Sequence, residues 1–248
     1  ARDGATSARP TATSTSSPVA DGVRHLVWDW NGTLFDDHDA VVAAVNDALA
    51  GLGIAAIDAD TYRTHFTRPV QRFYELVAGR PIAAEEWRAL DDAYHDSYHA
   101  WVERLGLASD ALAALEAAEA AGMSQSLLSM WRHQELVPLV ERLGIARFFT
   151  RVDGLQVPGG AGKAEHLVAH LAALRVDAAV AMLVGDALDD LQAARAVGAR
   201  CVLYDGGSHH RHALEASGAP VVDTLTAAVA AARATGRRPG SARRTPAR

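Results

Sequence analysis

Apolar positions along this chain follow two regimes. From Ser109 onward, short apolar runs alternate with stretches of helical period. Ala111–Ala121 predicts a helix stopped by Gly122, Ser124–Ser129 a short strand, Gln134–Leu143 a helix and Phe148–Val152 a strand. Lys163–Leu174, Leu188–Val197, His210–Ser217 and Leu225–Ala234 follow as helices, interleaved with strands at Ala179–Val184, Arg200–Leu203 and Pro220–Val222. Repeated β-α units predict a parallel sheet with right-handed crossovers. One more buried strand, Arg24–Trp28, stands apart near the start. The second regime fills the gap after it. Asp37–Leu52 predicts a helix with Val41, Val42, Val45, Leu49 and Leu52 on one face, and residues 58–104 keep helical periodicity without a strand signal. That region holds most of the aromatics and many histidines. The expected fold class is α/β: a Rossmann-like parallel sheet, residues 24–36 and 108–232, interrupted by an all-helical insertion over 37–107.

Composition narrows the picture. In 248 residues, 49% of them hydrophobic, there is material for a substantial core. Cys201 is the only cysteine, which excludes an internal disulfide framework and a cysteine-based zinc site. No apolar run approaches the ~20 residues of a membrane span. Residues 1–22 are rich in Ser, Thr, Ala and Pro without the apolar middle of a secretory signal. A soluble cytoplasmic protein with disordered tails at 1–23 and 233–248 is expected. The net charge of −6 is uneven: residues 233–248 carry six Arg and no acid. The acidic remainder argues against a nucleic-acid partner. Of the 24 basic residues only Lys163 is a lysine. Ammonium and guanidinium are not interchangeable at a tight anionic site, so a lone lysine in a meaningful place invites a chemical reason.

Four strand ends or helix starts carry candidate chemistry. Asp29 follows the first strand in Trp28-Asp29-Trp30-Asn31-Gly32-Thr33-Leu34, at the edge where open α/β sheets place their ligands. Ser129 follows Leu127-Leu128, with Ser126 as a competing hydroxyl. Lys163 follows the glycine-rich run 159–162. Ala164 after it, and no strand leading directly into the loop, argue against a nucleotide-binding P-loop. The strongest is Met182-Leu183-Val184-Gly185-Asp186, followed by Asp189 and Asp190. Clustered carboxylates repel unless a cation or lysine neutralises them. An all-oxygen set suits Mg²⁺. Asp189 is equally well explained as an acid at a helix N-terminus.

In that order, Asp29-x-Asn31-Gly32-Thr33-Leu34, Ser129, Lys163 and Gly185-Asp186-x-x-x-Asp190 resemble the haloacid dehalogenase superfamily over residues 24–232. The helical insertion resembles the cap of its C1-capped, phosphoglycolate phosphatase-like branch. The resemblance implies that Asp29 attacks phosphorus, that Ser129 binds a phosphoryl oxygen and that Lys163 neutralises the transferring group. It implies Mg²⁺ ligation by Asp29, Asp186, Asp190 and the backbone carbonyl of Asn31, with Asp190 alternatively orienting Lys163. Gly32 and Thr33 resemble the mobile turn of the family, and with Met130, Arg68 and His65 they complete the candidate substrate-binding set. Arg68 and His65 stand in Thr64–Val70, which breaks the helical pattern of the insertion.

Asn31 departs from the family pattern, which has Asp there as general acid and then base. Asn cannot shuttle a proton. Three readings follow: a substrate whose leaving group needs little protonation, a proton donor in the cap such as His65, or a catalytically weak binding or scaffold protein. The lysine count disfavours phosphonate cleavage through a cap lysine, and the metal acids disfavour dehalogenation. The expected partner is a small phosphorylated metabolite, with no membrane; a homodimer is left open.

Overall fold

The computed structural model describes residues 22–156 and 162–235. The expected tails, apart from the residues at their inner ends, and the glycines at 159 and 160 lie outside that range. No helix among the described residues is long and apolar enough to cross a membrane.

Six parallel strands form one sheet: β1 (His25–Trp28), β2 (Ser124–Arg132), β3 (Val152–Leu155), β4 (Ala181–Gly185), β5 (Arg200–Tyr204) and β6 (Val221–Val222), in the order β3-β2-β1-β4-β5-β6. Side chains alternate across it. Leu26 and Trp28 enter the core on one face, while Val27 enters the core on the other. Both faces are covered, which is why β1 and β4 read as unbroken apolar runs. The covering helices are α5 (Ala111–Ala120), α6 (His133–Arg142) and α10 (Leu225–Ala234) on the first face. On the second lie α7 (Lys163–Leu174), α8 (Leu188–Val197) and α9 (Arg211–Ala216).

The strand order reverses beside β1. Chain progress runs from β1 to β2 and β3 on one side, then returns to β4 on the other. The carboxyl ends of β1 and β4 therefore lie side by side at a topological switch point. The Asp29 N–H donates to the Val184 carbonyl at 2.8 Å, which carries the pairing right to the edge.

Two strands differ from the sequence expectation by more than two residues. β2 runs to Arg132, three residues past Ser129, and its pairing with β3 slips between Leu128 and Arg132. Such an irregularity re-aims the side chains within it, here Ser129 and Met130. β3 begins at Val152 rather than Phe148. Residues Ala146–Phe148 form a 3₁₀ turn whose Phe148 is buried in the core. Burial in a turn imitates the apolar signal of a strand.

Between β1 and α5 the chain forms α1 (His38–Gly51), α2 (Ala59–His65), α3 (Val70–Ala78) and α4 (Ala84–Val102). These helices bury their own cluster, including Val45, Leu49, Tyr62, Phe73, Tyr74, Ile82 and Leu90. Their entry and exit run together: Asp36 N–H donates to Gly106 O at 3.0 Å, and Ala108 N–H to Leu34 O at 2.9 Å. The helical segment is thus anchored at one doorway, directly beside the end of β1.

Candidate active site

Asp29, at the end of β1, and Asp186, just past β4, are buried at the switch point with Asp190 from the first turn of α8. Oxygen atoms of all three carboxylates lie within 4.8 Å of one another. Lys163, first residue of α7, reaches into the group. Its Nζ lies 2.5 Å from Asp29 Oδ1 and also ion-pairs with Asp190. The Asp190 carboxylate in turn accepts from the Ala187 N–H at 3.0 Å, which fixes it across the start of its own helix. Asp186 accepts from the Ser208 N–H at 2.6 Å. Thr33 is fully buried, and its hydroxyl lies 3.4 Å from Asp29 and 3.3 Å from Asp186, bridging the two strand ends.

Two glycines let backbone approach Asp186. A Cβ at Gly207 would stand 2.1 Å from Asp186 Oδ2, and one at Gly32, where φ is +68°, would stand 2.7 Å from the same atom. Only glycine fits both the space and the left-handed backbone at Gly32.

The electrostatics are those of a group short of positive charge. Burial pushes the Asp29 carboxyl up to about 6, against the pull of Lys163. Burial, with repulsion from Asp190, pushes Asp186 up to about 7. Asp190 rises to about 7, again chiefly by burial, with Lys163 opposing. Burial works against the Lys163 ammonium, but Asp190 and Asp29 outweigh it and hold its pKa above the ordinary lysine value. Three buried carboxylates against one ammonium, all offering oxygen, suit a hard divalent cation.

A cavity of about 40 Å³ opens over this group, lined by Asp29, Asn31, Lys163, Asp186, Asp189 and Asp190 together with Phe66, Arg68, Met130, Ala187 and Ser208. Arg68 comes from the turn between α2 and α3, and its Nε lies 2.9 Å from Asp189 Oδ2. Phe66, from the same turn, packs against His209 with ring centroids 5.5 Å apart. The helical segment also reaches the loop after β5 through Arg63, which donates to Gly207 O at 3.0 Å.

The sequence candidates divide accordingly. Asp29, Asn31, Lys163, Asp186, Asp190, Met130 and Arg68 border the cavity. Gly32 and Thr33 lie beneath it, against Asp186. Ser129 is buried and does not line the cavity, and its hydroxyl oxygen accepts the Trp131 N–H at 3.0 Å. His65 closes α2 and does not line the cavity. Four participants carried no signal strong enough to be picked out: Ser208, Gly207, Asp37 and Tyr98. Asp37 is buried and accepts from the Gly32 N–H at 2.7 Å, the Asn31 amide at 2.7 Å and the Tyr98 hydroxyl at 2.5 Å. The Asp36-Asp37 doublet is visible in sequence, but nothing local says that the second acid turns inward. Tyr98 lies 61 residues further on.

Comparison with known proteins gives the family and the fold. Two curated relatives are phosphoglycolate phosphatases. The one from Mesorhizobium japonicum is 28% identical over 219 residues, covering 83% of this chain and 94% of its own. The one from Pseudomonas fluorescens is 26% identical over 220 residues, covering 83% and 78%. Among solved structures, a haloacid dehalogenase-like family hydrolase from Streptococcus pneumoniae superposes with a TM-score of 0.73 at 18% identity, covering 84% of this chain and 98% of its own. CbbY from Rhodobacter sphaeroides, in complex with phosphate, superposes with a TM-score of 0.62 at 19% identity, covering 82% and 95%. Residues 26–204, which carry Asp29, Ser129, Lys163, Asp186 and Asp190 in their order, match the profile of the haloacid dehalogenase-like hydrolases, and the chain belongs to that family.

Proposed function

We propose that this protein is a Mg²⁺-dependent phosphohydrolase that cleaves a small phosphomonoester through an aspartyl-phosphate on Asp29. One observation carries the reading: three buried carboxylates and the only lysine of the chain converge on one cavity. Phosphoryl transfer asks for an in-line nucleophile and for positive charge around the equatorial oxygens. An Asp29 oxygen bonds to phosphorus as the ester P–O bond breaks, and that electron pair leaves with the organic oxygen. Water then attacks the same phosphorus. The Asp29–phosphorus bond breaks, the carboxylate is regenerated, and inorganic phosphate carries away the protons of the water.

Lys163 offsets the charge of the attacking and transferring groups, and Asp190 holds it in place. Ser129, Gly32, Thr33 and Met130 are assigned to the phosphoryl pocket. Magnesium would be held by Asp29, Asp186, Asp190 and the backbone carbonyl of Asn31, and supplies positive charge beside the phosphoryl oxygens. The helices of residues 37–107 serve as a cap over the cavity, Arg68 reading an anionic part of the substrate, with His65 a cap residue further out. Two relatives are named for phosphoglycolate, and a small phosphorylated metabolite is the substrate class proposed here.

The test compares wild type with Asp29→Asn on 4-nitrophenyl phosphate, with Mg²⁺ and with chelator. The expected result is turnover that the chelator abolishes and that the variant lacks. Equal activity in the two proteins removes Asp29 as nucleophile. A wild type that turns over no phosphate ester at all favours a binding or scaffold protein that keeps the fold.

A further inference from the structure

Asn31 is held by a closed set of hydrogen bonds. Its Nδ2 lies 2.7 Å from Asp37 Oδ2 and 2.9 Å from the Tyr98 hydroxyl, and that hydroxyl lies 2.5 Å from the same Asp37 oxygen. Tyrosine has a single hydroxyl proton. Given to the Asp37 carboxylate, it leaves the Tyr98 oxygen free to accept from Asn31. Both amide protons of Asn31 are then spent, one on Asp37 and one on Tyr98. The reversed amide would set Oδ1 against the Asp37 carboxylate oxygen, with the single Tyr98 proton left to serve both acceptors, so the network selects one orientation. Asp37 is itself fixed by the Gly32 N–H at 2.7 Å. Tyr98 is buried, stacked on Tyr94 at 5.7 Å and set edge-on to Trp131 at 5.5 Å.

We propose that Asp37 and Tyr98 are positioning residues that lock the Asn31 amide with its oxygen toward the cavity, restricting the site to phosphates whose leaving group departs without taking a proton. The substrate class rests on the phosphohydrolase reading above. Asn31 lines the cavity, and its Oδ1 has no hydrogen-bond partner among the described residues. A pure acceptor there can orient the attacking water but cannot protonate a departing alkoxide. The other charged groups around the cavity are committed: Asp189 to Arg68, Lys163 to Asp29 and Asp190, and Asp186 to the Ser208 N–H. No histidine lines it. When Asp29 bonds to phosphorus, the electron pair of the breaking P–O bond stays on the leaving oxygen as an anion. A carboxylate leaves readily in that form, as from an acyl phosphate; a simple alkoxide does not.

The lock also says what restores an acid. Asn31→Asp alone sets two carboxyl groups at hydrogen-bond distance, where they share one proton, and that proton is held between the new carboxyl and Asp37 instead of being offered to the leaving group. Exchanging the pair, Asn31→Asp with Asp37→Asn, returns an amide donor beneath a carboxyl at position 31.

Two measurements decide the matter. In the first, kcat/KM is measured for acetyl phosphate, 4-nitrophenyl phosphate and a simple alkyl phosphate in wild type, Asn31→Asp, the exchanged pair and Tyr98→Phe. Wild type should fall steeply as the leaving group becomes more basic. The single variant should gain less than about 3-fold on the alkyl phosphate, and the exchanged pair at least 10-fold, as a recovered general acid commonly contributes ~10²–10⁴. Damage to the fold would lower all three substrates together and leave the leaving-group slope unchanged. A single variant that gains as much as the pair overturns the lock, as does a flat slope in wild type. The second measurement is NMR hydrogen exchange of the Asn31 side-chain amide, which uses no turnover. Both protons should be protected in wild type, and Tyr98→Phe should release one of them. Two freely exchanging protons overturn the lock even if the phosphohydrolase reading stands. Protected protons in a protein without phosphatase activity would overturn only that reading.

Discussion

Asp186 is the residue on which the charge of the site turns. The Asp29, Asp186 and Asp190 carboxyls stand at about 6, 7 and 7, above an ordinary value of 3.8. Between those limits the folded protein holds protons that the unfolded chain has lost. Stability from these groups is therefore full below about pH 4 and is lost as the pH rises through 6 to 7. Buried His25 and His38, each pushed down to about 4, act in the opposite sense between pH 4 and 6.5. Comparing wild type with Asp186→Asn cancels that contribution. Without divalent metal, the variant should melt higher than wild type at pH 8, and the gap should close toward pH 4. A gap that widens on acidification would contradict the assignment. Gly207→Ala puts a methyl group 2.1 Å from Asp186 Oδ2 and 2.5 Å from its Cβ, so the whole side chain must move. A weakening of Mg²⁺ affinity by about 10–100-fold is expected, as for lost support around a ligand, and titration calorimetry reads it. At this scale the sequence was informative where a strand end or a helix start announced a side chain, as for Asp29, Lys163, Asp186 and Asp190. It was silent where burial depends on a distant partner, as for Asp37 and Tyr98.

Among elements, one polar seam joins four of them. Asp153 of β3, His170 of α7, Ser126 of β2 and His25 of β1 form a chain of hydrogen bonds at 2.7, 2.8 and 2.8 Å, and His25 ends it on Ser124 at 2.7 Å. His25, Ser126 and His170 are almost wholly buried. The Ser126 hydroxyl meets both imidazoles, with one proton to give and lone pairs to receive. Ser126→Ala should leave two buried ring nitrogens unpartnered, costing about 1–3 kcal/mol for each. Urea unfolding measures it, and a loss under 0.5 kcal/mol would show that water fills the gap. Element types were legible from periodicity, because one covered sheet and one self-packed set of helices leave different apolar repeats. Element limits were less so. Phe148 carries the apolar signal of a strand while sitting in a turn, and β2 continues past Ser129 because its bulge keeps pairing with β3.

For the whole molecule, the reversal of strand order beside β1 brings together acids that are 157 positions apart in the chain. A cation bound there would tie both halves of the sheet to the folded state alone. Mg²⁺ at 100 times its dissociation constant should then add about 2.7 kcal/mol, a rise in melting temperature of roughly 5–10 °C for a chain of this size. The rise should vanish in Asp186→Asn; one that persists would place the ion elsewhere. The overall architecture followed from the alternation of β-α units, and the site followed from that architecture. What the sequence could not supply was the contact between the inserted helices and the loop after β5, made by Arg63, Phe66 and His209, since its partners share no local pattern.

The scarcity of lysine has a practical side. The only ε-amine in the chain, Lys163, is buried at 6% exposure between two carboxylates. An amine-directed reagent meets no other ε-amine in this sequence, and it meets this one only when the ammonium leaves its two carboxylates and gives up a proton. Its rate of labelling at Lys163, read by mass spectrometry, becomes a clock for how often the lysine is released from its carboxylates to solvent. That clock should slow when inorganic phosphate occupies the cavity.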